Sequence, residues 1–210
     1  MTERTVERRI VTILFADLVG FTSLSERLDA EDVALIQDAY FAAVSETIER
    51  HGGLLEKFVG DAAMAVFGAP RVRDDDAERA VRAGLALVAA VGRLGAEVGL
   101  EERALELRVG VNSGEVVYGE ATAERGPVTG DTVNVAARLQ AAAEPGRVLV
   151  GSLTSLAVAE AVELRQAGSF ELKGKTEPVP RLGGDRRVSG ALPRSCPACA
   201  QACGTNVLRA

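Results

Sequence analysis

The period of the apolar positions changes several times along the chain, and each change marks an element. Residues 9–15 (RIVTILF) are apolar and β-branched, the pattern of a buried strand. The run gives way to an acid and a glycine, Asp17 and Gly20. Over residues 25–50 the spacing becomes helical, with Leu28, Val33, Ile36, Tyr40, Val44 and Ile48 on one face. Asp29 is placed to cap the main helix, Asp32 supplies an acid to its first turn, and Gly52-Gly53 stops it. Two apolar stretches, 54–59 and 62–67, flank Gly60-Asp61, the pattern of a tight β-hairpin. A polar turn with Pro70 and the acids Asp74, Asp75 and Asp76 precedes a long alanine- and leucine-rich helix over 77–98.

Leu105, Leu107, Val109 and Val111 alternate as a strand, which Ser113-Gly114 is expected to turn into a further extended stretch at 115–119. A loop over 120–130 leads to a helix at 132–143, followed by short strands near 147–150 and 169–173. Strand, long helix, hairpin, long helix, strand is the order of a ferredoxin-like βαββαβ unit. The predicted fold is therefore α+β, an antiparallel-rich sheet with flanking helices. From residue 183 onward Gly, Arg, Ser, Pro and Cys appear without periodicity, which predicts a tail at 183–210 behind one domain at 1–182.

Composition narrows the function. The chain has 210 residues, is 47% hydrophobic and 26% charged, and carries a net charge of −6. An acidic balance argues against a nucleic-acid surface. No apolar run reaches the roughly 18 residues of a membrane span, and the charged N-terminus lacks the features of a signal peptide. The three cysteines, Cys196, Cys199 and Cys203, all lie in the tail, so the body fits a reducing compartment and a cytoplasmic location is expected. A closed zinc site wants four ligands, and the sole histidine, His51, lies far away in the body.

Two acids at strand ends are the strongest chemical signal. Asp17 follows a buried strand and Asp61 lies in a hairpin turn. If those strands are neighbours, both carboxylates emerge at one sheet edge, where paired carboxylates suit Mg²⁺. The alternative is a cap and an ordinary turn residue. Small residues between strand and helix at Leu18–Thr22 leave backbone N–H groups for a phosphate.

Context decides between these readings. FADLVGFT at 15–22 closely resembles the first metal-binding motif of class III adenylyl and guanylyl (nucleotidyl) cyclase catalytic domains of bacterial type, and KFVGDA at 57–62 resembles the second. RVGVNSG at 108–114, GDTVNVAARL at 130–139 and ELKGK at 171–175 resemble further family segments, in family order. The resemblance implies an adenylyl cyclase that converts ATP to cyclic AMP and pyrophosphate with two Mg²⁺ or Mn²⁺ ions. Asp17, Asp61 and the backbone carbonyl of Leu18 would hold the metals, while Val19, Gly20, Phe21 and Thr22 would line the phosphates. Asn134 would orient the ribose and Arg138 would stabilise charge at the α-phosphate, one helical turn apart on a common face. Lys173 or Lys175 would neutralise the terminal phosphates.

Lys57 bears on base choice, since an ammonium donates to adenine N1 whereas guanine carries a proton there. The family's usual acceptor for the adenine amino group falls at Pro127, which has no polar side-chain atom; Thr129, two residues on, is the substitute. Base selectivity between ATP and GTP stays open at that point, as does a nucleotide-binding regulatory module with little turnover. In the family each site lies between two domains, so a head-to-tail homodimer is implied. No regulatory domain is visible in the sequence.

Overall fold

The computed structural model describes residues 7–69, 71–97, 105–119, 128–166, 168–170, 179–181 and 206–209. Its centre is a pair of long strands, β1 (Glu7–Leu18) and β4 (Leu107–Tyr118), antiparallel and in register along their whole length. β1 carries apolar residues on both faces because both are covered. Leu14, Ala16 and Leu18 join one core, and Val11 and Ile13 join another on the opposite face. The hairpin β2 (Leu54–Val59) and β3 (Ala62–Phe67) adds to β1 through β3, giving the order β2-β3-β1-β4 expected of a βαββαβ unit. Beyond β4 the same sheet continues through β6 (Arg147–Val150), which is parallel to β4.

Helices α2 (Ala30–Arg50) and α3 (Asp76–Glu97) cover the first face. Ile36, Tyr40, Val44 and Ile48 of α2 lie against Ala80, Val81, Leu87 and Val91 of α3 and the strand residues between them. The short α1 (Phe21–Ser25) precedes α2, with Gly20 at its N-terminal boundary. The opposite face is covered by α4 (Asp131–Ala142), whose Ala136 meets Val11, Ile13 and Val116. The α+β architecture read from the periodicity is thus the one observed.

Several boundaries differ. Asp17 lies within β1 rather than after it, because β4 supplies a partner for every residue through Leu18. Ser113-Gly114 makes no turn: β4 runs straight through it, paired with Val11 and Thr12. Gly114 is there for space, since a Cβ would come 2.7 Å from Thr132 Oγ1. Thr129 belongs to a short strand, β5 (Val128–Thr129), paired with the end of β4. The helix α5 (Ser152–Val158) was not signalled by the periodicity.

The remaining pieces are two-stranded additions. β7 (Arg165–Gln166) lies in the main sheet, and β8 (Gly168–Phe170) pairs with β9 (Val179–Arg181). Within the expected tail, Asn206–Arg209 form β10, seated between β6 and β7. The three cysteines lie outside the described residues. Among the described residues no helix is long and apolar enough to cross a membrane.

Candidate active site

The ladder β1–β3 ends at Ala16↔Ala63, so Asp17 stands at the edge where β3 begins and the Gly60-Asp61 turn closes the hairpin. Gly60 has φ +65°, and no non-glycine residue among those described has a positive φ. A two-residue hairpin loop that suits the twist of the strands needs a positive φ at its first central residue, which glycine adopts without strain. The turn therefore presents Asp61 beside Asp17. The two carboxylates feel each other: burial pushes the Asp17 carboxyl up, and the charge on Asp61 pushes it further.

Three other residues, none singled out by the sequence pattern, complete this edge. Gln140 of α4 donates from Nε2 to Asp17 Oδ2 at 3.2 Å. Arg108 stands opposite Asp17 across the β1–β4 ladder, and both it and Gln140 favour the charged carboxylate. The Arg108 Nε is buried without a hydrogen-bond partner among the described residues. Tyr40, expected only as a core residue of α2, is fully buried, and its hydroxyl has no hydrogen-bond partner among the described residues. Burial, then the charges of Asp17 and Asp61, push that hydroxyl well above the usual tyrosine range.

Among the described residues no group of three or more His, Cys, Asp and Glu side chains gathers as a metal cluster. Two carboxylates at one edge fit a divalent ion whose other ligands are phosphate oxygens, because such ions take few protein ligands when nucleotide supplies the rest.

α4 sits where it does because of Gly110. A Cβ there would lie 2.2 Å from the Gln140 backbone nitrogen and 2.4 Å from the Ala136 carbonyl oxygen, so only glycine lets the helix rest on β4. At the helix start, Asn112 Nδ2 donates to the Thr132 carbonyl (3.2 Å) and Thr132 Oγ1 to the Glu115 carbonyl (2.7 Å). With the helix docked this way Asn134 is exposed and Arg138 is half-buried one turn later. Neither has a hydrogen bond to the Asp17 edge of its own chain among the contacts described.

The Val19 N–H donates to the Glu106 carbonyl at 2.9 Å, so it is not the free phosphate donor anticipated for this stretch. Phe21 is buried against the core and anchors the turn, while Gly20 is left-handed at φ +69° and exposed. Lys57 lies on β2 with its side chain half-exposed, its Nζ 3.5 Å from Glu56 Oε1. Thr129 is half-buried opposite Val117. Pro127, Lys173 and Lys175 lie outside the described residues.

Comparison with known proteins agrees with this geometry. Residues 5–181 match the family described as the adenylate and guanylate cyclase catalytic domain. A protein of Rhizobium meliloti without an assigned activity is 38% identical over 175 residues, covering 82% of this chain. The chain spans 17% of that relative's length, and no more than a third of the other first curated relatives it matches. Among solved structures, the adenylyl cyclase CyaB from P. aeruginosa is similar with a TM-score of 0.79 and 32% identity, over 84% of this chain and 93% of that one. The guanylyl cyclase Cya2 is similar with a TM-score of 0.77 and 36% identity, over 83% and 90%.

Proposed function

Because the chain belongs to the adenylate and guanylate cyclase catalytic domain family, we propose that it is an adenylyl cyclase working as a head-to-tail homodimer. The observation that carries this reading is the gathering of Asp17 and Asp61 at one sheet edge, while Asn134 is exposed on α4 and makes no hydrogen bond to that edge among the described residues. One protomer then supplies the acids and its partner supplies the α4 side chains. Two such sites arise from one symmetric interface.

The reaction is attack of the ribose 3′-oxygen on the α-phosphorus of ATP, with loss of the hydroxyl proton and departure of pyrophosphate. Asp17, Asp61 and the Leu18 carbonyl would hold two Mg²⁺ or Mn²⁺ ions, which when bound would supply charge neutralisation and a more acidic 3′-hydroxyl. Gln140 orients Asp17 through its hydrogen bond, and it and Arg108 favour the charged carboxylate against the rise that burial and Asp61 cause. Gly20, Phe21 and Thr22 form the turn against which the phosphates lie. Asn134 of one protomer holds the ribose so that its 3′-oxygen faces the α-phosphorus, and Arg138 stabilises the charge that develops there. Lys173 or Lys175 neutralises the terminal phosphates. Lys57 donates to adenine N1, which favours ATP.

Both purine specificities occur among the similar structures, so the deciding experiment offers both nucleotides. Purified protein is given ATP or GTP with Mn²⁺ or Mg²⁺, beside an Asp17→Ala control. Cyclic AMP from the unaltered chain, absent in the control, is the expected result. Cyclic GMP alone would sink the Lys57 reading, and nucleotide binding without either product would identify a regulatory module.

A further inference from the structure

Beside Lys57 sits a carboxylate for which the fold offers no structural use. The Glu56 side chain is 3% exposed, and neither oxygen accepts a hydrogen bond among the described residues. A carboxylate buried without donors is strongly unfavourable, and hydrophobic or neutral replacements at such positions are often better tolerated by the fold. Burial accordingly pushes the Glu56 carboxyl up, with Lys57 opposing the rise.

The backbone shows how this acid meets the lysine. In a regular strand, successive side chains point to opposite faces and neighbours do not touch. Here Leu55 pairs with Ala65 and Lys57 with Met64, so Glu56 is the extra residue of a β-bulge. Bulges commonly re-aim a side chain next to an active site. The irregularity brings Glu56 Oε1 within 3.5 Å of the Lys57 Nζ, close enough for an ion pair without being a hydrogen bond. Lysine is a point charge on a flexible stem, so a lysine that must read one atom of a base needs something to hold it.

We propose that Glu56 is a positioning residue for purine selection, its buried carboxylate fixing the course of the Lys57 ammonium toward the base. The inference deepens the proposed function and rests on Lys57 reading the base. A lysine held on one side keeps its remaining protons for a single acceptor, adenine N1. Released, it swings freely and meets guanine O6 as readily, so discrimination falls.

The test compares Glu56→Gln, Glu56→Asp and Lys57→Ala with the unaltered chain. ATP and GTP are measured separately, by turnover and by calorimetric binding, so that a slow enzyme still reports. Glu56→Gln is expected to raise KM for ATP about tenfold with kcat within about twofold, the scale of one charged hydrogen bond lost from binding. The ATP:GTP preference should fall by a similar factor, Glu56→Asp should recover part of both, and thermal stability should hold or rise.

Unchanged KM and preference in Glu56→Gln would overturn the inference. So would parallel losses of kcat and thermal midpoint, the signature of a merely structural acid. Lys57→Ala separates the two levels. If it alters the preference while Glu56→Gln does not, only the positioning role fails. If Lys57→Ala alters nothing, the base reading fails and the positioning role with it.

Discussion

Where α2 gives way to β2, Arg79 of α3 donates to the carbonyls of His51 (2.7 Å) and Gly52 (3.0 Å) and to Asp75 (3.0 Å) and Asp76. Asp76 in turn accepts from the Arg73 backbone N–H at 2.7 Å. Arg79, Asp75 and Asp76 are all answered from within the chain. At the opposite kind of place, the edge formed by β1 and the β2–β3 turn, Asp17 and Asp61 repel each other and the Tyr40 hydroxyl has no hydrogen-bond partner among the described residues. The first arrangement fastens α3 to the end of α2 and has no further capacity. The second gathers like charges at one edge, an arrangement that suits a cationic ligand. Strained or under-satisfied clusters of this kind tend to lower stability in return for function.

The contrast breaks most sharply at Asp61. Asp61→Asn keeps the turn and removes one of the repelling charges. Turnover is expected to fall at least about a thousandfold, the several kcal/mol that charge neutralisation contributes to such reactions. The thermal midpoint of the ligand-free chain should hold or rise, because Asp17 loses its like-charged neighbour. A variant that is both inactive and markedly less stable would mean that Asp61 belongs to the architecture instead.

Arg79→Ala should behave in the reverse sense. It strips the partner from a buried Asp76 and frees two carbonyls, so a loss of about 3 kcal/mol is expected. For a chain of this size that corresponds to a fall of roughly 6–12 °C in the thermal midpoint. Turnover per folded molecule, measured well below the transition, should be unchanged. A loss of activity in the folded fraction would show that the corner also shapes the site.

How much of this was legible in the sequence depends on the scale at which each feature is written. The hairpin 54–59 and 62–67 was legible to the residue, because a two-residue Gly-Asp loop leaves little freedom in where strands begin and end. The long helices were legible within a residue or so at their ends, since a wide apolar stripe has only one period. Gly114 misled: a Ser-Gly pair reads as a turn, whereas the glycine serves close contact with Thr132 in the middle of a strand. Asp17 and Asp61 stood out by their places at strand ends, and motif resemblance added Lys57, Asn134 and Arg138. Gln140, Arg108 and Glu56 did not. Their roles arise from which strand lies beside which, and from one inserted residue in a ladder, neither of which has a local signature.

Gly110 links the two kinds of region, since it is a packing residue on which the site depends. A methyl group there would meet the α4 backbone at 2.2 and 2.4 Å, and backbone atoms cannot turn aside as a flexible side chain can. Gly110→Ala should push α4 off β4, displacing Asn134, Arg138 and Gln140 together. A displacement near 1 Å in a positioned group is expected to lower turnover about a hundredfold. The thermal midpoint should fall too, and near-normal activity would show that α4 re-seats without consequence.

The smallest expected effect sharpens the comparison furthest, because it separates two residues of one helix. Gln140 lies two positions after Arg138, on the other side of α4, and it touches Asp17 of its own chain. Gln140→Ala alone should weaken apparent metal affinity only severalfold, the scale of one hydrogen bond to a partly exposed carboxylate. Mixing variants tells the faces apart. Asp61→Asn and Arg138→Ala damage different halves of a composite site, so each mixed dimer regains one intact site. Random exchange in an equal mixture should then restore about a quarter of the unaltered activity. Asp61→Asn mixed with Gln140→Ala offers no such recovery, because Asp61 and Gln140 serve the same half and every surviving site keeps the Gln140 defect. Metal titration of the two mixtures therefore reads which face of α4 serves which protomer. Recovery of an unaltered metal response in the second mixture would place Gln140 across the interface, and no recovery in the first would remove the head-to-tail dimer.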